Sequence, residues 1–72
     1  MDALLKRASL IFDIPEGALL WEINDGPVVK LSNGDTFWGV SKRPVDRALW
    51  FNEASPASEV DVDVWSKKYA RP

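Results

Sequence analysis

Glu59, Asp61 and Asp63 alternate with Val60, Val62 and Val64 and make the only cluster of carboxylates in the sequence. On an extended strand all three would project from one face. Hard cations such as Ca²⁺ or Mg²⁺ take oxygen ligands of this kind. The segment lacks the Gly and the distal bidentate Glu of an EF-hand loop. Nothing beside these acids splits two of them into a proton donor and a proton acceptor. A solvated acidic stripe is therefore expected, and its best use is electrostatic contact with a basic partner.

Lys and Arg concentrate in three places: Lys6 with Arg7, the group Lys42, Arg43 and Arg47 around Pro44, and Lys67, Lys68 and Arg71. The middle group is the densest and falls on a connector, where a loop can reach a ligand. Phosphate or nucleic-acid contact would draw on Lys30, Lys42, Arg43 and Arg47. An acidic protein surface would use the same cations.

Other chemistries are excluded by residue type. The chain has 72 residues with no His and no Cys. It therefore has no imidazole base, no thiolate nucleophile, no disulfide and no zinc-thiolate site. Gly17, Gly26, Gly34 and Gly39 match neither the dinucleotide nor the P-loop pattern. The Ser hydroxyls and Tyr69 have no base to activate them. We expect no enzyme, no cofactor and no metal. With 9 Lys plus Arg against 11 Asp plus Glu the formal charge is −2. That is too weak for mimicry of nucleic acid and the wrong sign for a strong phosphate binder.

Aromatic residues offer the remaining chemistry. Four Trp, three Phe and one Tyr are spread along the chain, as one core gathered from every segment requires. A domain of this length hides only about 60% of the surface its unfolded chain exposes, so some rings are expected at the surface. Trp and Arg dominate binding hot spots. Trp38, Trp50, Lys42, Arg43 and Arg47 are accordingly the candidate contact residues.

These side chains must be positioned by few elements. Met1 to Phe12 reads as a helix with Ala3, Leu4, Ala8, Ile11 and Phe12 on one face. Residues 14–23 read either as a second helix, entered through Asp13 and Glu16, or as a strand over Ala18 to Ile23. Pro15, Gly17 and the turn signal of Asp25-Gly26-Pro27 tip the reading toward the strand. Val28 to Leu31 and Thr36 to Val40 form a hairpin around Asn33-Gly34. Ala48 to Phe51 is expected as a further strand and Asn52 to Ala57 as a loop. Glu59 to Val64 alternates like a half-buried strand, yet Ser58 and Asp61 also fit a capping box. The strand over Val60 to Val64, running into a helical turn, is the favoured reading. Both chain ends should be tied to the core or to a partner, since free ends fray.

The expected fold is a small α+β domain spanning residues 1–72, with the N-terminal helix packed on a three- to four-stranded antiparallel sheet. If both helical alternatives hold, the order becomes helix, helix, hairpin, strand, helix. That layout resembles the small winged helix-turn-helix DNA-binding proteins, such as phage excisionases and small terminase subunits. The similarity rests on the Asp13 turn, Gly26 after the second helix, the hairpin as wing and a closing helix with Trp65. It implies duplex DNA as partner. The sequence departs from the family at its second helix, which would carry Glu16 and Glu22 and no base, where the groove-reading helix needs polar and basic groups.

The function expected from these residues is non-enzymatic binding of another protein, as a regulator, inhibitor or assembly subunit. Nucleic acid is the competing partner, and self-association through a sheet edge is a third. The N-terminal Met-Asp-Ala-Leu-Leu-Lys-Arg lacks the layout of a secretory signal. No apolar run approaches the roughly 20 residues of a membrane span. A cytoplasmic location is expected, with no membrane partner. Small size and Cys-free composition fit a phage or mobile-element product, though no residue argues for one.

Overall fold

The computed structural model describes residues 3–9 and 11–69. Within them the chain runs α1 (Ala3–Ala8), β1 (Leu19–Ile23), β2 (Gly26–Lys30), β3 (Thr36–Trp38), α2 (Arg47–Glu53), β4 (Ser55–Pro56) and α3 (Glu59–Lys68). These form a mixed α+β arrangement of three helices and an open, four-stranded antiparallel sheet in the order β3-β2-β1-β4. Among the described residues no helix is long and apolar enough to cross a membrane. The two chain ends expected to pack on the core lie outside the described residues.

Residues 19–23 form a strand, so the second helix required by the winged helix-turn-helix layout does not form. β1 turns into β2 through Asn24 and Asp25, both at positive φ (49° and 65°). Two consecutive residues in this region make the tight turn that matches strand twist, and Asn and Asp tolerate it. The sequence signal at Asp25-Gly26-Pro27 is thus displaced by one residue, and Gly26 opens β2. The second hairpin turns where Asn33-Gly34 requires. Gly34 has φ 95°, the Asp35 N–H donates to the Asn33 side chain at 2.9 Å, and Leu31 N–H donates to the Asp35 carbonyl at 2.7 Å.

Three other expectations fail. Ala48 to Phe51 lies in α2, not in a strand. Asp46 caps that helix, its carboxylate accepting from the N–H groups of Ala48 (2.9 Å) and Leu49 (3.1 Å), which satisfies donors that a helix start leaves unpaired. Glu59 to Val64 is also helical. The capping box forms in full: Asp61 N–H donates to Ser58 Oγ at 3.2 Å, and Ser58 N–H to Asp61 Oδ2 at 2.9 Å. Acids in the first turn and Lys67 and Lys68 in the last suit the helix dipole. Finally, the expected loop over Asn52 to Ala57 contains β4, which pairs with Trp21 and Glu22 of β1.

The sheet carries a different apolar cluster on each face, because neighbouring residues of a strand point opposite ways. Leu20 and Val29, paired across β1 and β2, join Phe12, Ala18, Val62 and Trp65 on the face covered by α3. Trp21, Ile23 and Val28 join Trp38, Val45, Leu49 and Trp50 on the face covered by α2.

Both sheet edges are blunted by the chain itself. The Trp38 N–H donates to the Arg43 carbonyl (2.8 Å) and Val45 N–H to the Thr36 carbonyl (3.0 Å), with Pro44 opposite Phe37. The other edge, β4, has two residues, and Pro56 has no N–H to offer. Little unpaired backbone is left for strand pairing with a second copy.

Candidate functional site

The acidic cluster dissolves when its segment becomes helical. Successive residues of a helix turn by 100°, so Asp61 leaves the face on which Glu59 and Asp63, four residues apart, stay neighbours. Asp61 is consumed by the cap and Asp63 pairs with the Arg7 guanidinium. No group of three acidic, His or Cys side chains arranged to hold a metal ion occurs among the described residues.

The candidate contact residues divide into two sets. Trp38 is half-buried in the cluster under α2, where its ring lies 3.4 Å from the position a Cβ would take at Gly26. A Cβ there would touch the ring and sit closer still, at 3.3 Å, to the Ile23 carbonyl. Lys42 sits at φ 63°, in a tight loop closed by its own N–H on the Trp38 carbonyl (2.9 Å). Its ammonium reaches back to the Asp13 carbonyl at 3.4 Å, away from α2. Arg43 is exposed, and its backbone carbonyl, not its side chain, is fixed by β3.

Arg47 and Trp50 come together with Lys30. All three line a groove of about 530 Å³ between β2, the β2–β3 turn and α2, with Phe37, Pro44 and Phe51 on its walls. The local cause is the helix. Arg47 and Trp50 are three residues apart, Arg47 and Phe51 four, and both spacings place side chains side by side on a helix surface. Trp50 leans on Trp21, with ring centroids 5.0 Å apart and planes at 51°. The Lys30 ammonium stands 5.6 Å from the Trp50 ring centroid, within cation–π reach. Lys30 projects from the same sheet face as Val28, since the two are separated by one residue.

Phe51 is the residue that sequence reasoning missed. It is 77% exposed, the most exposed large apolar side chain among the described residues. A seven-residue helix lying on a sheet can bury one side only. Leu49 and Trp50 take that side, and Phe51, a further 100° round, is left in water. The signal was the run Ala48-Leu49-Trp50-Phe51 itself, in which a helix cannot bury every apolar residue. No family model, curated protein or solved structure matches the chain.

Proposed function

We propose that this chain is a non-enzymatic binding module that acts on another protein, as a regulator, inhibitor or assembly subunit, through the α2 side of its sheet. The observation that carries the reading is the pairing of exposed Phe51 with half-buried Trp50 beside two cations on one groove. Aromatic anchors next to Arg are the residue types that dominate protein interfaces. Singly exposed apolar side chains such as Val60 are ordinary, but Phe51 shares its groove with the aromatic walls of Trp50 and Phe37, and a contiguous apolar patch is what marks a docking place. Trp50, Arg47, Lys30 and Phe51 are the contact residues. In this reading α1 lies over the sheet face that carries α3, with Ala8 at the contact, and leaves the α2 face open.

DNA is the less supported partner. A strand occupies the stretch that a groove-reading helix would need. Of the four cations named for phosphate contact, Lys30 and Arg47 line the groove, Lys42 reaches to the Asp13 carbonyl and Arg43 is exposed outside the groove lining, whereas phosphate contacts dominate affinity for duplexes.

The test is affinity capture from the native host on immobilised wild-type chain and on Phe51→Glu, with identification by mass spectrometry. The expected result is a protein retained by the wild type and lost on the variant. Equal retention on both, or salt-sensitive binding of duplex DNA at micromolar protein in a gel shift, overturns the proposal.

A further inference from the structure

We infer that the groove between β2 and α2 takes a short acidic peptide segment, with a carboxylate between Lys30 and Arg47 and an adjacent aromatic or branched apolar side chain against Trp50 and Phe51. This rests on the proposed protein-binding role and specifies the partner's chemistry.

Charge comes first. The chain as a whole is acidic, yet this groove is lined by Lys30 and Arg47. Neither makes an ion pair within 4.0 Å among the described residues. Lys30 is half-buried, and its ammonium rests beside the Trp50 ring. A ring face attracts a cation without using up its N–H donors. Those donors stay available to an anion. Arg47 adds a planar fork that fits a carboxylate with two parallel bonds. Asp35 also lines the groove; the neutral Asn33 amide that donates to its carboxylate at 3.1 Å ties it to the turn without cancelling its formal charge, so the lining sets two cations against one anion.

Shape comes second. The volume suits a few side chains and no whole domain. Its apolar lining is aromatic and stands next to the cations, so a ligand with acid and ring a few residues apart satisfies both at once. A basic or uncharged segment would leave Lys30 half-buried with no anion. A nucleic-acid strand would bring phosphates to the same cations, but among the described residues the groove lining holds only Lys30 and Arg47 to meet its backbone. Lys42 is turned toward Asp13, and the strand would run past an acidic chain.

The experiment selects a random octapeptide display library on the immobilised full chain. The selected peptide is then titrated against wild type, the double variant K30E/R47E, and K67E/K68E, which makes the same charge change on α3. Enriched peptides are expected to carry Asp or Glu within three residues of an aromatic or Leu. Their affinity should fall by at least about tenfold in K30E/R47E, as for loss of paired interfacial charges, and stay within about twofold in K67E/K68E, as for rim charges remote from a contact. The inference is overturned by enrichment without acidic bias, by no enrichment, or by equal affinity for K30E/R47E. Tighter binding of an oligothymidylate probe than of any selected peptide, lost in the same double variant, overturns it in favour of single-stranded nucleic acid. If peptides ignore K30E/R47E while Phe51→Glu still loses the captured protein, only this inference falls. If Phe51→Glu keeps the captured protein, the broader role falls with it.

Discussion

The two faces of the sheet are built from similar residues and finished differently. On the α3 face, Trp65 is 1% exposed, and its indole N–H donates to the Asp25 carbonyl at 2.8 Å. Phe12 meets Trp65 and Tyr69 edge to face, at centroid distances of 6.1 and 5.9 Å. The polar and the apolar needs of Trp65 are both met inside the chain. On the α2 face, Trp21, Trp38 and Trp50 all stay half-buried, and Phe51 stands outside. The α3 face is closed by a ten-residue helix together with Ala8, Phe12 and Ala18 of the preceding chain, whereas the α2 face has one helix of seven residues. The difference separates a closed face from a partly open one, the face proposed for contact, and substitutions can break or sharpen it.

The largest effect is expected at Trp65. Trp65→Ala removes a fully enclosed ring together with its hydrogen bond to the Asp25 carbonyl, and should cost about 3–5 kcal/mol. Trp50→Ala, whose ring is only partly enclosed, should cost less, about 1–2 kcal/mol. Urea unfolding of both variants measures the gap, and equal losses would erase the distinction between the faces.

The caps give a finer comparison. Ser58→Ala and Asp46→Ala each remove a helix N-cap, and each should cost about 1 kcal/mol. Only Asp46→Ala should also weaken retention of the captured protein, because it loosens α2. Equal weakening by both would place the contact face elsewhere.

Phe51→Ser should leave stability within about 0.5 kcal/mol, as for a surface change, and still lose the captured protein. A large drop in melting temperature would show that Phe51 is packed. The smallest effect belongs to Lys42→Gly. Relief of a left-handed conformation, worth about 1 kcal/mol, is offset by the greater freedom of unfolded glycine. The net change should be slightly stabilising, and clear destabilisation would contradict the Lys42 backbone geometry.

Much of the fold could be read from local chemistry. Asn33-Gly34 supplies a positive φ that few other pairs offer, so the second hairpin was legible outright. Pro15 and Gly17 disfavour a helix over 14–23, and the strand there puts Leu20 and Trp21 on opposite faces as alternation demands. The C-terminal segment held two competing patterns. Val-Asp alternation imitates a strand, while Val62, Trp65 and Tyr69 at i, i+3 and i+7 mark a helix face, and the Ser58 capping box decided between them. β-branched Val costs a helix only fractions of a kcal/mol, too little to override that cap and the burial of Trp65. In α2 the apolar run is four residues long, a length at which helix and strand look alike, and Asp46 as its cap was the overlooked clue. Arg47 and Trp50 stood out as candidate contacts from their types alone, and the structure places both on one groove. The groove itself was not legible, because it depends on Lys30, Phe37 and Phe51 meeting across β2, β3 and α2, and no local spacing encodes that meeting.

Amide hydrogen exchange of the chain, alone and saturated with the protein it captures, tests the contact face most directly. Added protection should gather in residues 30–37 and 44–51, with α3 unchanged. Protection gathered instead on Glu59–Lys68, with 44–51 exchanging as in the free chain, would contradict the assignment of α2 as the face that binds.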